Sequence, residues 1–119
     1  MAVNPTPEQL EAMAAIARGD GDGPLVMLNL NRYRDRAEYE RYGEVALRVL
    51  ARVGGEVLWQ ARATHTVIGE AEERFDEVIA VRYPSAQAFL DLALDPEIGA
   101  ALVHRDAGLE RAALIRCDA

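Results

Sequence analysis

Arg32-Tyr33-Arg34-Asp35-Arg36-Ala37-Glu38-Tyr39, residues 32–39, is echoed by Arg82-Tyr83-Pro84-Ser85-Ala86-Gln87-Ala88-Phe89, residues 82–89. The two stretches agree at an Arg-Tyr pair, at a capping residue two positions after the Tyr and at an aromatic six positions after it. Each reads as a strand end running into a helix, because Asp and Ser side chains accept hydrogen bonds from the first free N–H groups of a helix. Two copies of one strand-to-helix junction predict a fold with an internal twofold.

The flanking segments supply the other elements. Upstream, Leu25 to Leu30 is a short apolar run interrupted by Asn29, which reads as a buried strand. Downstream of the first junction, Tyr39, Tyr42, Ala46, Val49, Leu50 and Val53 recur at helical spacing, and Gly54-Gly55 ends that helix. A second strand is expected over about Glu56 to Thr66, a turn around Gly69 to Arg74, and a third strand over Phe75 to Tyr83. After the second junction, Phe89, Leu90 and Leu94 are expected to face inward. Asp95-Pro96 breaks and restarts that helix, and Gly108 releases the chain into a last strand, Leu109 to Cys117. Strand, helix, strand, strand, helix, strand is the split βαβ order of a ferredoxin-like α+β domain with a four-stranded antiparallel sheet. A helix precedes it, with Thr6 as cap, Pro7 at the first helical position and Gln9 placed to close a capping box. Gly19 to Pro24 then reads as a flexible link. The expected organisation is residues 1–23 as N-terminal helix and Gly-rich connector, and residues 24–119 as the ferredoxin-like domain.

The chain has 119 residues, 13 arginines and no lysine, 20 acidic residues, two His and one Cys, for a net charge of −7. Dispersed arginines in an acidic chain lack the clustered positive charge that binds phosphate backbones, so nucleic acid is not an expected partner. Without lysine there is no Schiff-base aldolase, pyridoxal-phosphate anchor or phosphate-loop lysine. No glycine-rich nucleotide fingerprint follows a strand. No apolar run is long enough for a membrane span and no leader precedes the first helix, so the expected location is the cytoplasm. A lone cysteine fits a reducing compartment. A sheet with both helices on one side leaves an apolar face bare, and the economical cover is a second copy of the chain. A homodimer is therefore expected, with a ligand site between sheet and helices or between two sheets.

Val26-Met27-Leu28-Asn29-Leu30-Asn31-Arg32-Tyr33, Arg82-Tyr83-Pro84-Ser85 with Ala88-Phe89-Leu90, Asp95-Pro96-Glu97, and His104-Arg105-Asp106-Ala107-Gly108-Leu109-Glu110 together resemble the DUF1330 domain proteins of the dimeric α/β-barrel superfamily. The resemblance covers roughly residues 24 to 117. It implies a ferredoxin-like protomer, a homodimer and no established activity. The wider superfamily includes cofactor-free monooxygenases, muconolactone-type isomerases, haem-dependent peroxidases and simple ligand binders, so it constrains shape more than chemistry.

Asn29 is the most informative side chain, because an amide within a buried strand needs a specific partner, either a structural junction or a ligand. Asn31 shares its face by alternation. Arg32 faces the other way, and its pseudo-repeat equivalent Arg82 has Asp76, Val78 and Ala80 as face-mates. Without a bulge, Asn29 and Arg82 cannot line one cavity. Asp76 and Arg82 read either as strand-end ions at a dimer rim or as an anion clamp. Trp59 reads as core, interface or cavity wall. Arg105 adds a cation near the end of the last helix. His104 and His65 are the only imidazoles, and His104 is the candidate for proton transfer. Neither has a partner at a metal-ligand spacing, so no metal, haem or other cofactor is expected. Cys117 has nothing beside it in sequence to activate it. The expected function is binding of a small, partly apolar organic molecule in a cavity shaped by Asn29, Asn31, Trp59 and the arginine-rich strand ends. Any chemistry would be cofactor-independent proton transfer or monooxygenase-like oxygen insertion. The alternative is a non-catalytic binding or interaction module whose buried polar groups serve the fold.

Overall fold

Each helix begins where a side chain can accept its unpaired N–H groups, and these caps set the element boundaries. The computed structural model describes residues 3–118. The order is α1 (Pro7–Arg18), β1 (Leu25–Tyr33), α2 (Arg36–Arg52), β2 (Glu56–Arg62), β3 (Glu77–Tyr83), α3 (Ala86–Ala93), α4 (Pro96–Gly108) and β4 (Leu109–Asp118). Thr6 and Gln9 form the capping box of α1, Asp35 caps α2, Ser85 caps α3 and Asp95 caps α4. At the end of α2, Gly54 takes φ +84° and its N–H reaches Ala51 O, while Gly55 N–H reaches Leu50 O. This is a Schellman ending, and its left-handed residue is glycine because that backbone costs other residues strain.

The repeated junction is real in three dimensions. Tyr33 and Tyr39 bring their rings to 5.7 Å, and Tyr83 and Phe89 to 5.5 Å. In both copies the strand's last aromatic packs on the first turn of the following helix.

The sheet is antiparallel in the order β2-β3-β1-β4, so the two strands carrying the junctions lie at its centre. Leu25, Met27, Asn29 and Asn31 of β1 stand opposite Tyr83, Val81, Ile79 and Glu77 of β3. These residues face the helices, and Leu25, Met27, Val81 and Tyr83 join Tyr42, Val49, Leu50, Phe89, Leu92 and Ile98 in the core. Burial of such side chains is the main term holding the fold together.

The opposite face carries no helix. Ile115, Leu28, Ala80 and Trp59 form one row across all four strands, and Ala113, Leu30, Val78 and Ala61 form the next. Trp59 is 51% exposed and Ile115 47%. The chain exposes 7155 Å², against roughly 6,400 Å² for a folded monomer of this mass. An uncovered sheet face accounts for an excess of that sign.

Four expectations need correction. β2 ends at Arg62 rather than near Thr66, and β3 starts at Glu77 rather than Phe75; a single 3-10 turn, Ala71–Glu73, lies in the intervening loop. Leu94 is 67% exposed, because it follows the last turn of α3 and points away from the core. The connector after α1 is tied down as well as glycine-rich: Asp22 accepts from the N–H groups of Ala86 and Gln87, adding a second cap to α3, against which α1 packs. Among the described residues no helix is long and apolar enough to cross a membrane.

The joint between α2 and α4 depends on the absence of a side chain at Gly108. A Cβ there would come within 2.5–2.8 Å of the N, Cα and Cβ atoms of Tyr39. Gly108 O also accepts from the N–H groups of Arg34 and Asp35. Gly108→Ala is expected to lower the stability measured by urea denaturation by roughly 1–3 kcal/mol, since backbone must move to admit the methyl group.

Candidate functional site

α2 packs on α4 and leaves the inner face of β2 uncovered, so every residue of β2 is exposed. The gap between α2 and the sheet is a cavity of about 260 Å³, close to the lower end of the roughly 300–1,000 Å³ typical of small-molecule sites. Its apolar lining includes Ala46, Leu47, Leu50, Val57, Ile79, Val81 and Leu92, and its polar lining includes Asn29, Gln60, Glu77 and Arg105. All four tyrosines of the chain, Tyr33, Tyr39, Tyr42 and Tyr83, line it as well. A second lobe of about 170 Å³ shares Asn29, Tyr42, Tyr83, Leu92 and Arg105 and extends to Asn4 and Leu10.

A polar node closes one end. Asn31, 1% exposed, donates through Nδ2 to the Tyr39 hydroxyl at 3.0 Å and to Glu77 Oε1 at 3.2 Å. Gln60 Nε2 donates to Glu77 Oε2 at 2.5 Å. Both oxygens of a buried carboxylate are thus held by neutral amides from the two neighbouring strands. Buried carboxylates require such partners, because desolvation without compensation is costly. Asn29 Nδ2 makes longer bonds, 3.3 Å each, to the carbonyls of Met27 and Ile79.

The surroundings of Tyr33, Tyr39 and Tyr83 keep these phenols protonated. Burial pushes Tyr39 up to about 12, aided by the negative charge of Glu77 and opposed by Arg105 and by the Asn31 hydrogen bond. Tyr33 is held well above the usual phenol range by burial, then by its hydrogen bond and charge interaction with Glu77. Burial does the same for Tyr83. These phenols are therefore neutral hydrogen-bonding groups near pH 7, not bases.

The sequence-derived residues divide between the two faces. Asn29 and Arg105 line the cavity, and Asn31 lies beneath it, holding Glu77. Trp59 and Arg82 lie on the bare face, away from it. The reason is a bulge in β2 between Val57 and Trp59: Val57 pairs with Val81, but Trp59 pairs with Ala80 and Gln60 with Ile79. The extra residue, Leu58, turns Trp59 outward and brings Gln60 to the cavity. No bulge occurs in β1 between Asn29 and Arg32, so Asn29 and Arg82 do occupy opposite faces. Asp76 and Arg82 do not pair, since they flank opposite ends of β3. Asp76 instead accepts from the Tyr33 N–H at 2.8 Å, meets Arg74 at 3.2 Å, and lines the open depression at the cavity mouth. His104 does not reach the cavity either: its Nδ1 lies 2.8 Å from Glu38 Oε2, bridging α4 to α2. Helical spacing turns His104 away from the side where its neighbour Arg105 is buried. Among the described residues no cluster of three or more His, Cys, Asp or Glu is placed to hold a metal.

Sequence reasoning missed Glu77, Gln60 and Tyr39 as members of the site. Glu77 carried one usable signal, since it lies two residues before Ile79 in an alternating strand and so faces the helices. Gln60 carried none, because its facing depends on the bulge.

A four-stranded antiparallel sheet in this order, with its helices on one face, defines a ferredoxin-like α+β protein. The chain belongs to the family described as Domain of unknown function (DUF1330), whose pattern matches residues 25–116. It is similar to the RPA0582 protein of unknown function from Rhodopseudomonas palustris, at 35% identity over 98% of this chain and 95% of that one, with a TM-score of 0.87. It shares its fold with a candidate antibiotic biosynthesis monooxygenase from Caulobacter crescentus CB15, at 15% identity over 82% and 91% of the two chains and a TM-score of 0.57. It also shares it with a dimeric ferredoxin-like protein of unknown function from Thermobifida fusca YX, at 13% identity over 86% and 96%, with a TM-score of 0.54. Among curated proteins none matches the chain.

The raised phenols define an alkaline transition. The folded Tyr39 keeps its proton up to about 12 against an ordinary 10.0. The unfolded chain releases that proton first, so stability is full below pH 10 and falls as pH climbs through 12. Tyrosinate absorbance followed with circular dichroism should show ionisation of the buried phenols coinciding with unfolding. Tyr39→Phe should flatten the pH dependence of stability in that window.

Proposed function

We propose that this protein binds a small, partly apolar organic molecule in the cavity between α2 and the sheet, and that it acts as a homodimer joined through the bare sheet face. One observation carries the binding reading: the three buried polar or charged residues of the described chain, Asn31, Glu77 and Arg105, all lie in or against this cavity, together with every tyrosine. A fold of this size does not need its whole complement of buried polarity at one gap. An apolar pocket with a few convergent polar groups is the usual form of a small-molecule site. Any chemistry there would be cofactor-independent proton transfer at a ligand atom, with Glu77 the acceptor the cavity supplies. His104, engaged with Glu38 outside the cavity, has no part in this reading.

The dimer reading is supported by the two apolar rows on the bare face and by the surface they leave exposed. Exposed apolar patches of this kind mark interaction surfaces, and a twofold contact covers the same patch on both copies. The related fold from Thermobifida fusca is itself described as dimeric.

Two measurements test the proposal. Native mass spectrometry of protein purified gently from its own host should give twice the 13.1 kDa chain mass with a reproducible small-molecule adduct. Asn29→Ala should abolish the adduct while leaving the melting temperature within a few degrees. A loss of stability with no adduct in either form would favour a purely structural amide. In light scattering, Trp59→Glu should reduce the particle to a single chain mass, because it buries a charge in the proposed interface. An unchanged mass would remove the dimer from the reading.

A further inference from the structure

Glu77 and Arg105 are the only buried charged side chains among the described residues, at 6% and 8% exposure, and both line the same cavity. Neither forms an ion pair with a described residue. The partners of Glu77 are the Asn31 and Gln60 amides and the Tyr33 phenol. Those of Arg105 are the Val3 carbonyl, the Asn4 amide oxygen and the face of the Tyr42 ring, 5.3 Å from the guanidinium carbon. The cavity therefore holds one negative and one positive group, each supported, among the described residues, by neutral partners. For stability alone this is a poor arrangement, since well-packed apolar side chains commonly serve a core as well or better. Opposite charges lining one cavity, one from β3 and one from α4, suit a ligand that carries their complements.

Both groups have bonding capacity to spare. A guanidinium offers five N–H donors, and the bonds of Arg105 to Val3 and Asn4 run from Nε and Nη2. A carboxylate has about four acceptor positions, of which Asn31, Gln60 and Tyr33 use three. Both groups act on the Tyr39 hydroxyl, with opposite sign. Glu77 lies at the mouth end, where the cavity meets the open depression, and Arg105 at the junction with the second lobe. Between them the wall is Ile79, Val81, Leu50 and the tyrosine rings.

We propose that the ligand is a small carboxylic acid with an apolar, preferably aromatic, body and a hydrogen-bond donor at its far end, its carboxylate held by Arg105 and its donor accepted by Glu77. This rests on the cavity reading above and adds the polarity and direction of the ligand. A hydroxyl and an ammonium group share the required chemistry, and the assay separates them.

Isothermal titration calorimetry on the full chain provides the test, with para-hydroxyphenylpropionate and para-(aminomethyl)phenylpropionate as two-ended probes. Phenylpropionate supplies the carboxylate end alone and para-propylphenol the hydroxyl end alone. A two-ended probe should bind at least about tenfold more tightly than either one-ended probe, the scale of one hydrogen bond to a charged group. The better of the two identifies the donor. Glu77→Gln should reduce the advantage of that two-ended probe over phenylpropionate, and Arg105→Gln should reduce its advantage over para-propylphenol. The wild-type comparison needs no variant, so it stands even if a substitution impairs folding. One-ended and two-ended probes of equal affinity would overturn the proposal. If their binding were still lost when Ala46→Trp plugs the cavity, the cavity reading would survive. Binding unaffected by Ala46→Trp would overturn both. Absence of binding by every probe at millimolar concentration would overturn this ligand class, leaving the cavity reading to the adduct measurement.

Discussion

The register of β1 against β3 sets Asn31 opposite Glu77, and the rest of the interior is arranged around that pair. Through Asn31 the central strand reaches Tyr39 of α2, and through Glu77 it reaches Gln60 of the edge strand. One buried amide and one buried carboxylate thus connect three strands and a helix. A slip of one residue would turn both to the bare face, break all of these bonds and expose the leucine and valine face-mates of β1 and β3. Polar burial here makes the fold specific about its register, while the apolar residues supply most of the driving force.

The same alternation divides the sheet into two surfaces with different chemistry. Toward the helices lie the aromatic and amide-rich residues that meet at the cavity. Away from them lie apolar rows, Trp59 among them, with arginines at the margins, Arg32 opposite Arg111 and Arg82 opposite Glu56. The cavity exists because α2 follows α4 instead of lying across β2, and the close approach at Gly108 holds it there. Packing of two helices, rather than any residue inside the cavity, leaves the space open. Local chemistry then determines what the space can hold: phenols that stay neutral, amides that stay oriented, and two buried charges that form no ion pair with a described residue.

Much of the fold was legible because its signals are local. Asp35, Ser85 and Thr6 announce helix starts by the chemistry of their own side chains, Gly54-Gly55 announces an end, and the Arg-Tyr repeat announces two equivalent junctions. Alternation along β1 places Asn29 and Asn31 on one face and Arg32 on the other, as the structure has them. The candidate site was less legible. Trp59 and Gln60 exchange faces because Leu58 bulges, and nothing in the composition of Val57-Leu58-Trp59-Gln60 marks one residue as extra. His104 and Arg105 are adjacent in sequence, yet one meets Glu38 outside while the other is buried beside Tyr42.

The order of elements, their caps, the pseudo-twofold and the split between a helix-covered and a bare sheet face can be read from the residues alone, since each follows from residue type and a period of two or near 3.6. Which polar groups share a cavity emerges only on folding. That outcome depends on a bulge in one strand, the distance between two helices and the rotation of α4, and each of these is set by contacts between residues far apart in the chain.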